Sequence, residues 1–281
     1  MDHSEILSTQ PPTLVKLLRG RASTQPDRLA YTFLKDDLEE ARLTYAELDA
    51  RVRCIAGKLQ SLVGFGERVV LFYQPGLNFV SAFWACLYSG VIPIPVPPKP
   101  NLIFGKAQSI IKDAQPALFL TEASLLPALE KAVTQFPDFA AITRVPTDRI
   151  SADFQTEYRA PQIPGSHLAL LQYTSGSTSE PKGVMVSHEN ILRNSLALDL
   201  GWNHTAESAI VSWLPHFHDM GFIYGLIQPV YAGISCYFMS PFSFIQQPFR
   251  WLQAITRYRG THSAAPNFAY DLCTHQITDT Q

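Results

Sequence analysis

The sequence predicts an α/β fold, with mainly parallel sheets flanked by helices, on three observations. Short apolar, β-rich runs alternate with segments of helical periodicity along most of the chain. A Pro- and polar-rich stretch at 146–166 interrupts the alternation, which then restarts. Neither a fixed-period repeat nor a low-complexity tract competes with this wiring. Two α/β units are therefore expected, 1–160 and 161–281, joined near residue 160.

Each element has its own signal. Thr44, with Glu47 three residues on, forms a capping box and opens a helix whose Leu48, Val52, Ile55 and Leu59 recur on one face. Residues 68–73 read as a strand, 78–89 as a buried helix, and 91–96 as a strand whose prolines suggest an edge or an exit. A helix near 104–114, a strand at 117–120, a helix at 122–134 and a strand at 140–144 follow. Beyond the connection come a strand at 168–173 and a helix at 188–200, capped by Ser187 and carrying Ile191 and Leu192. The remainder alternates strand 209–213, helix 220–231, strand 234–239, helix 248–258, strand 261–264 and helix 266–275.

Composition bounds the function without finding it. With 46% hydrophobic and 16% charged residues, the 281-residue chain can bury a substantial interior. A net charge of −2 gives no reason to expect nucleic acid or an anionic membrane as partner. Cys54, Cys86, Cys236 and Cys273 lie far apart in apolar segments with no C-x-x-C pair, so they read as buried thiols in a reducing compartment; no metal-ligating set is expected. The start MDHSEILSTQ has neither a basic region nor an apolar core, so no secretory signal is expected and a cytoplasmic location is. Residues 220–249 carry no charge and are long enough to span a bilayer. Gly221, Gly225, Pro229, Gly233, Pro241 and Pro248 break that stretch, which fits a buried helix, strand and loop better.

The most informative segment is 173–183, YTSGSTSEPKG. Thr174, Ser175, Ser177 and Thr178 offer hydroxyls, while Gly176 and Gly183 let backbone N–H groups approach an anion. Lys182 adds a point charge suited to a phosphate oxygen. The apolar runs on either side make this a loop between two strands. A Walker-type loop needs a different spacing of glycine and lysine and leads directly into a helix, so an ordinary P-loop is disfavoured. A ligand-free Ser/Thr/Gly-rich turn is the plain structural alternative.

On these residues the chain resembles the adenylate-forming superfamily, whose phosphate-binding signature runs [ST]-S-G-[ST]-T-G-x-P-K-G; it departs only at Ser179, where glycine is usual. The segments SWLPHFHDMGFIYGLIQPVYAG (212–233) and MSPFSFIQQPFRWLQAITRYRGTHSAAPNFAYDLC (239–273) are similar to fatty acyl-AMP ligases. FWACLYSGVIPIPVPPKPN (83–101) and AQSIIKDAQPALFLTEASLL (107–126) echo the same branch. The likeness runs from about Leu14 to the end.

The resemblance implies part of the large N-terminal domain of an enzyme that joins a fatty acid to ATP, with Mg2+, giving acyl-adenylate and pyrophosphate. It would place Thr174, Ser175, Gly176, Ser177, Thr178, Lys182 and Gly183 at the nucleotide phosphates, with Lys182 also catalytic. His218 would act beside the acyl carboxylate, and Asp219, Asn267, Phe268 and Tyr270 would line the substrate site. For these side chains the structural alternatives are a helix-start histidine, an N-cap for Asp219 and a core ring for Phe268, whereas Asn267 is the better candidate because a buried amide after proline requires specific partners. His216 is read as a neighbour, and part of 220–249 as a possible acyl-tunnel wall or simply core. The implied partners are a fatty acid and an acyl carrier protein or polyketide/nonribosomal peptide synthase module. Family members continue to a magnesium-binding acidic residue, a ribose-binding aspartate and a small C-terminal domain with a catalytic lysine. The 281 residues are therefore expected to be the N-terminal part of such a protein, with weak or absent turnover alone. An acyl-CoA or other carboxylate:CoA ligase, and a non-catalytic nucleotide- or acyl-binding module, stay open as alternatives.

Overall fold

A computed structural model describes residues 11–35, 38–97, 108–135, 139–174 and 181–278. Its strands are β1 Leu29–Lys35, β2 Leu38–Thr44, β3 Arg68–Phe72, β4 Ile92–Val96, β5 Leu118–Thr121, β6 Thr143–Pro146, β7 Leu168–Thr174, β8 Lys182–Ser187, β9 Ala209–Ser212 and β10 Ser235–Met239. Its helices are α1 Leu14–Thr24, α2 Tyr45–Gln60, α3 Leu77–Ser89, α4 Gln108–Ala114, α5 Leu126–Gln135, α6 Phe154–Glu157, α7 His188–Trp202, α8 Asp219–Phe222, α9 Gln228–Ala232, α10 Pro241–Gln246, α11 Phe249–Arg257 and α12 Asn267–Gln276.

The predicted class holds: two mainly parallel sheets are flanked by helices. One sheet runs β4-β3-β5-β6, all parallel, and its apolar strands Val69–Phe72 and Leu118–Leu120 are buried on both faces, as parallel strands require. The other runs β2-β1-β10-β9, with β1 parallel to β10 and antiparallel to β2. Strands from both sides of residue 160 share this second sheet, so the two expected units interlock through β1 and β10 rather than follow one another as separate bodies.

Between the sheets lies the main core. Helix α3, LNFVSAFWACLYS, is apolar almost all round because nearly every residue from Leu77 to Ser89 is buried; Phe83 and Trp84 sit at its centre. It ends at Gly90, whose φ of 74° forms the left-handed cap that only glycine takes without strain. The Thr44/Glu47 capping box forms as expected, and Leu48, Val52, Ile55 and Leu59 of α2 pack inward against α3.

Beyond α1, β1, β2 and α6, which are not among the predicted elements, four features differ from expectation. The predicted helix 220–231 is α8 followed by a π-helical turn, Ile223–Ile227, and then α9. Pro229 has no N–H to donate back to Gly225, and the freed Gly225 carbonyl accepts from the Cys236 thiol at 3.4 Å. The predicted strand 261–264 reduces to a single bridge between His262 and Ile210. Helix α10 occupies a stretch read as loop, with Ser240 as its cap and Pro241 in its first turn. Of the four thiols, Cys86 and Cys236 are buried as expected, but Cys54 and Cys273 are partly exposed: Cys54 donates to the Ser151 carbonyl from α2, and Cys273 on α12 rests at the edge of an apolar cluster. Among the described residues no helix is long and apolar enough to cross a membrane.

Candidate active site

The phosphate-loop motif sits at the tip of an antiparallel hairpin. Strands β7 and β8 pair from Leu168 opposite Ser187 to Thr174 opposite Lys182, so two motif residues face each other across the hairpin mouth. This confirms that the loop joins two strands and does not run directly into a helix. Ser175, Gly176, Ser177 and Thr178, together with the Ser179 departure, lie outside the described residues. Thr174 and Lys182 are exposed, and the Lys182 ammonium has no hydrogen bond or ion pair among the described residues. A flexible, solvated cation at a hairpin mouth can swing to an incoming phosphate without first breaking another contact.

The hairpin stands on the β4 strand and on α4, and it leads through Ser187 into α7. Ser187 and Asn190 cap each other's backbone there, and Ile191 and Leu192 are buried, as the sequence predicts. The α7 start is tied down further, because His188 Nδ1 accepts from the Leu14 N–H at 3.3 Å. Burial, helped by neighbouring His167, pushes the His188 pKa down to about 4.

His218 and Asp219 form a second cluster. Strand β9 ends at Ser212, Trp213 stays in the core, and the chain then turns through Pro215 to bring His218 to the N-cap of α8. Their side chains meet at 2.6 Å between Nδ1 and Oδ1, with 68% of His218 and 72% of Asp219 exposed. His218 does stand at the start of the helix, as its N-cap, but with its ring open to solvent and no side-chain bond to the helix's N–H groups. Asp219 is not the N-cap: it is the first helical residue, and its carboxylate accepts from the Met220 N–H at 2.6 Å. His216, two residues earlier, is the buried one. Its ring lies 3.9 Å from that of Phe79, and burial pushes its pKa down to about 3. A small cavity behind it is walled by Pro75, Phe79, Gly221, Gly225 and Leu226.

Asn267, Phe268 and Tyr270 open α12. Asn267 is exposed, so the expected buried amide is corrected: Pro266 ends an extended segment at the surface, and the first helical residue stays in solvent. Phe268 and Tyr270 are about half exposed, each with one edge against an aromatic cluster. Phe268 meets Trp213 at 5.9 Å, Tyr270 meets Trp251 at 5.7 Å, and Phe244 stacks on Trp213 at 4.0 Å. The same Trp213 precedes the His218 turn, so α12 and His218 are mounted on one rigid aromatic base.

A groove of about 840 Å3 opens between the two sheets, beyond the carboxyl ends of β1, β3 and β5. In the order β4-β3-β5-β6 the strand direction of winding reverses between β3 and β5, the place where open α/β sheets bind ligands. Arg51 donates to Asn78 there, and Asn78 donates to Glu122 at 2.7 Å, while Phe242 and Leu77 supply apolar wall. Sequence reasoning passed over these residues, since nothing local marks Arg51 or Glu122 as facing a common space.

A family model described as AMP-binding enzyme matches residues 18–280. The chain belongs to that family. A medium-chain-fatty-acid–[acyl-carrier-protein] ligase, JamA of Moorena producens, is 42% identical over 275 residues, covering 96% of this chain and 46% of that protein. A long-chain-fatty-acid–AMP ligase, FadD26 of Mycobacterium marinum, is 33% identical over 277 residues, covering 95% and 47%. The crystal structure of a fatty acyl-adenylate ligase from L. pneumophila, in complex with acyl adenylate and pyrophosphate, superposes with a TM-score of 0.90 at 38% identity. It covers 100% of this chain and 48% of that one. The chain thus spans about half the length of the relatives it matches.

Proposed function

We propose that this chain supplies the ATP- and acyl-binding part of an enzyme that joins a fatty acid to ATP, forming acyl-adenylate and releasing pyrophosphate. The observation that carries the reading is the hairpin mouth, where Thr174 and an exposed Lys182 stand opposite each other at the two ends of the phosphate-loop motif. The similarity to fatty acid ligases supports the acyl half of the reading.

The chemistry brings two anions together, a carboxylate and the α-phosphorus of ATP, so positioning and charge neutralisation dominate the barrier. Lys182 offsets negative charge on the phosphates as pyrophosphate leaves. Thr174, Ser175, Ser177 and Thr178 hydroxyls and the N–H groups around Gly176 and Gly183 hold those oxygens. His218 donates to the incoming carboxylate from its exposed position, with Asp219 orienting the ring through Nδ1. Phe268 and Tyr270 cover the adenylate and the first acyl carbons, with Asn267 beside them.

ATP carries Mg2+, but among the described residues no cluster of three or more His, Cys, Asp or Glu side chains converges to hold a metal. The ion is assigned to the phosphates themselves, where it would neutralise their charge. The acceptor of the acyl group is read as an acyl carrier protein, by similarity to the Moorena ligase.

The test is titration of the 281-residue chain with Mg-ATP by calorimetry, followed by incubation with a medium-chain fatty acid and mass spectrometry for acyl-AMP. ATP binding is expected, weakened about tenfold or more in Lys182→Ala because a charge-assisted contact is lost. Only slow acyl-AMP formation by these residues alone is expected. A wild-type chain that fails to bind ATP overturns the reading.

A further inference from the structure

We propose that Tyr173 and Asp113 are a positioning pair for the phosphate loop, acting through Gly183 and Lys182 rather than touching the nucleotide. The inference rests on the ATP-binding reading of the loop.

The outer strand of the hairpin has little to hold it. Residues Lys182, Gly183, Val184 and Met185 of β8 are all exposed, and burial begins only toward Val186 and Ser187. The mouth of the hairpin is therefore set by what its inner strand does. Tyr173 is the last residue of β7 before Thr174, and it pairs directly with Gly183. Its ring crosses that partner. A Cβ at position 183 would lie 2.9 Å from Tyr173 Cζ and 3.1 Å from its hydroxyl oxygen, closer than such contacts ordinarily come. Glycine at 183 is thus what lets the ring lie flat across the outer strand, beside Lys182.

Beyond the glycine, the Tyr173 hydroxyl donates to the Asp113 carboxylate on the last turn of α4. Burial and this bond both push the phenol's pKa up, so the hydroxyl stays protonated and remains a donor across the physiological range. The ring also packs on the apolar cluster of β3, β4 and α4. One side chain therefore ties both strands of the hairpin to the parallel sheet's helix layer, at the level where Thr174 faces Lys182. A loop that must present several donors to phosphate gains from a fixed base, because less ordering remains to be done on binding.

The prediction is specific. Tyr173→Phe keeps the ring but loses the tether, and it should weaken Mg-ATP binding about three- to tenfold, the range of one ordinary hydrogen bond whose loss reaches the loop indirectly. The unfolding midpoint should barely move. Asp113→Asn, an exposed change, should act in the same direction, and the double variant should be no worse than the stronger single. Gly183→Ala should displace the ring and match Tyr173→Phe. The discriminating measurement is the cycle with Lys182→Ala. If the pair works through Lys182, Tyr173→Phe costs little in that background, whereas a merely structural tyrosine gives additive losses. Unchanged affinity in both Tyr173→Phe and Asp113→Asn, or additivity with Lys182→Ala, overturns the inference while leaving the ATP-binding reading intact. A wild-type chain that does not bind ATP removes both.

Discussion

The four-stranded parallel sheet and the β7–β8 hairpin answer the same physical demands in opposite ways. In the sheet, β3 is buried from Val69 to Phe72 and flanked by β4 and β5, so every backbone group has a partner and every side chain an apolar neighbour. The hairpin has two strands: β7 buries Ala169, Leu170 and Leu171, while β8 leaves Lys182 to Met185 in water, with one aromatic ring over a glycine at its mouth. Two-stranded ribbons are marginal on their own. The difference teaches where stability and chemistry reside: the sheet and α3 hold the fold, and the hairpin spends little on stability while presenting its charged and hydroxylated tip.

The sharpest way to break this division is to damage the scaffold. Trp84→Ala empties a fully buried site in α3 and should cost about 3–5 kcal/mol of unfolding free energy, read by urea denaturation. At a temperature where the variant is still folded, ATP affinity should stay near wild type; a large loss would mean that core and hairpin are not separable.

Acid probes the scaffold next. His188 and His216 are held neutral, with pKa values pushed down to about 4 and about 3 from an ordinary 6.5. The unfolded chain takes up these protons first as pH falls, so the stability tied to their neutral form is complete above about 6.5 and drains away between there and about 4 to 3. Each contributes on the order of 3 kcal/mol to that loss. Denaturation curves from pH 7.5 to 4 should show the fall, and His216→Phe should make it shallower. A flat profile would show that neither ring is excluded from water.

The smallest effect belongs to the hairpin's outer face. Met185→Ser, at a side chain 68% exposed, should change stability by less than about 0.5 kcal/mol. A cost above about 1 kcal/mol would show that β8 carries part of the fold after all.

Legibility in the sequence follows the same line. Helices and strands with strong apolar runs were readable within a residue or two, as at α2, α3, β3 and β7. Helix α1 and strands β1 and β2 were not foreseen. Strand β2, LEEARLT, is a charged edge strand with no apolar run to advertise it, and α1 concentrates its buried residues in Leu14, Val15, Leu17 and Leu18 at one end. The phosphate-loop motif was legible because its residues are contiguous. Side chains brought together only by folding were not: Asp113 is 60 residues from Tyr173, and the Arg51–Asn78–Glu122 chain of the groove is assembled from three separate elements. Exposure was misjudged at Asn267, a polar side chain at a helix start whose direction depends on the turn before it.

The pairing of β1 with β10 has a consequence for how this chain comes into being. Tyr31 lies beside Cys236, so β1 waits for a strand made roughly two hundred residues later. At a ribosomal pace of about 5–20 residues per second, the β1–β2 hairpin leaves the exit tunnel about 10–40 s before its parallel neighbour. During that interval β1 offers an open apolar edge to any passing chain. Nascent chains halted before Ser235 should therefore bind holdase chaperones, and those extended past Met239 should release them.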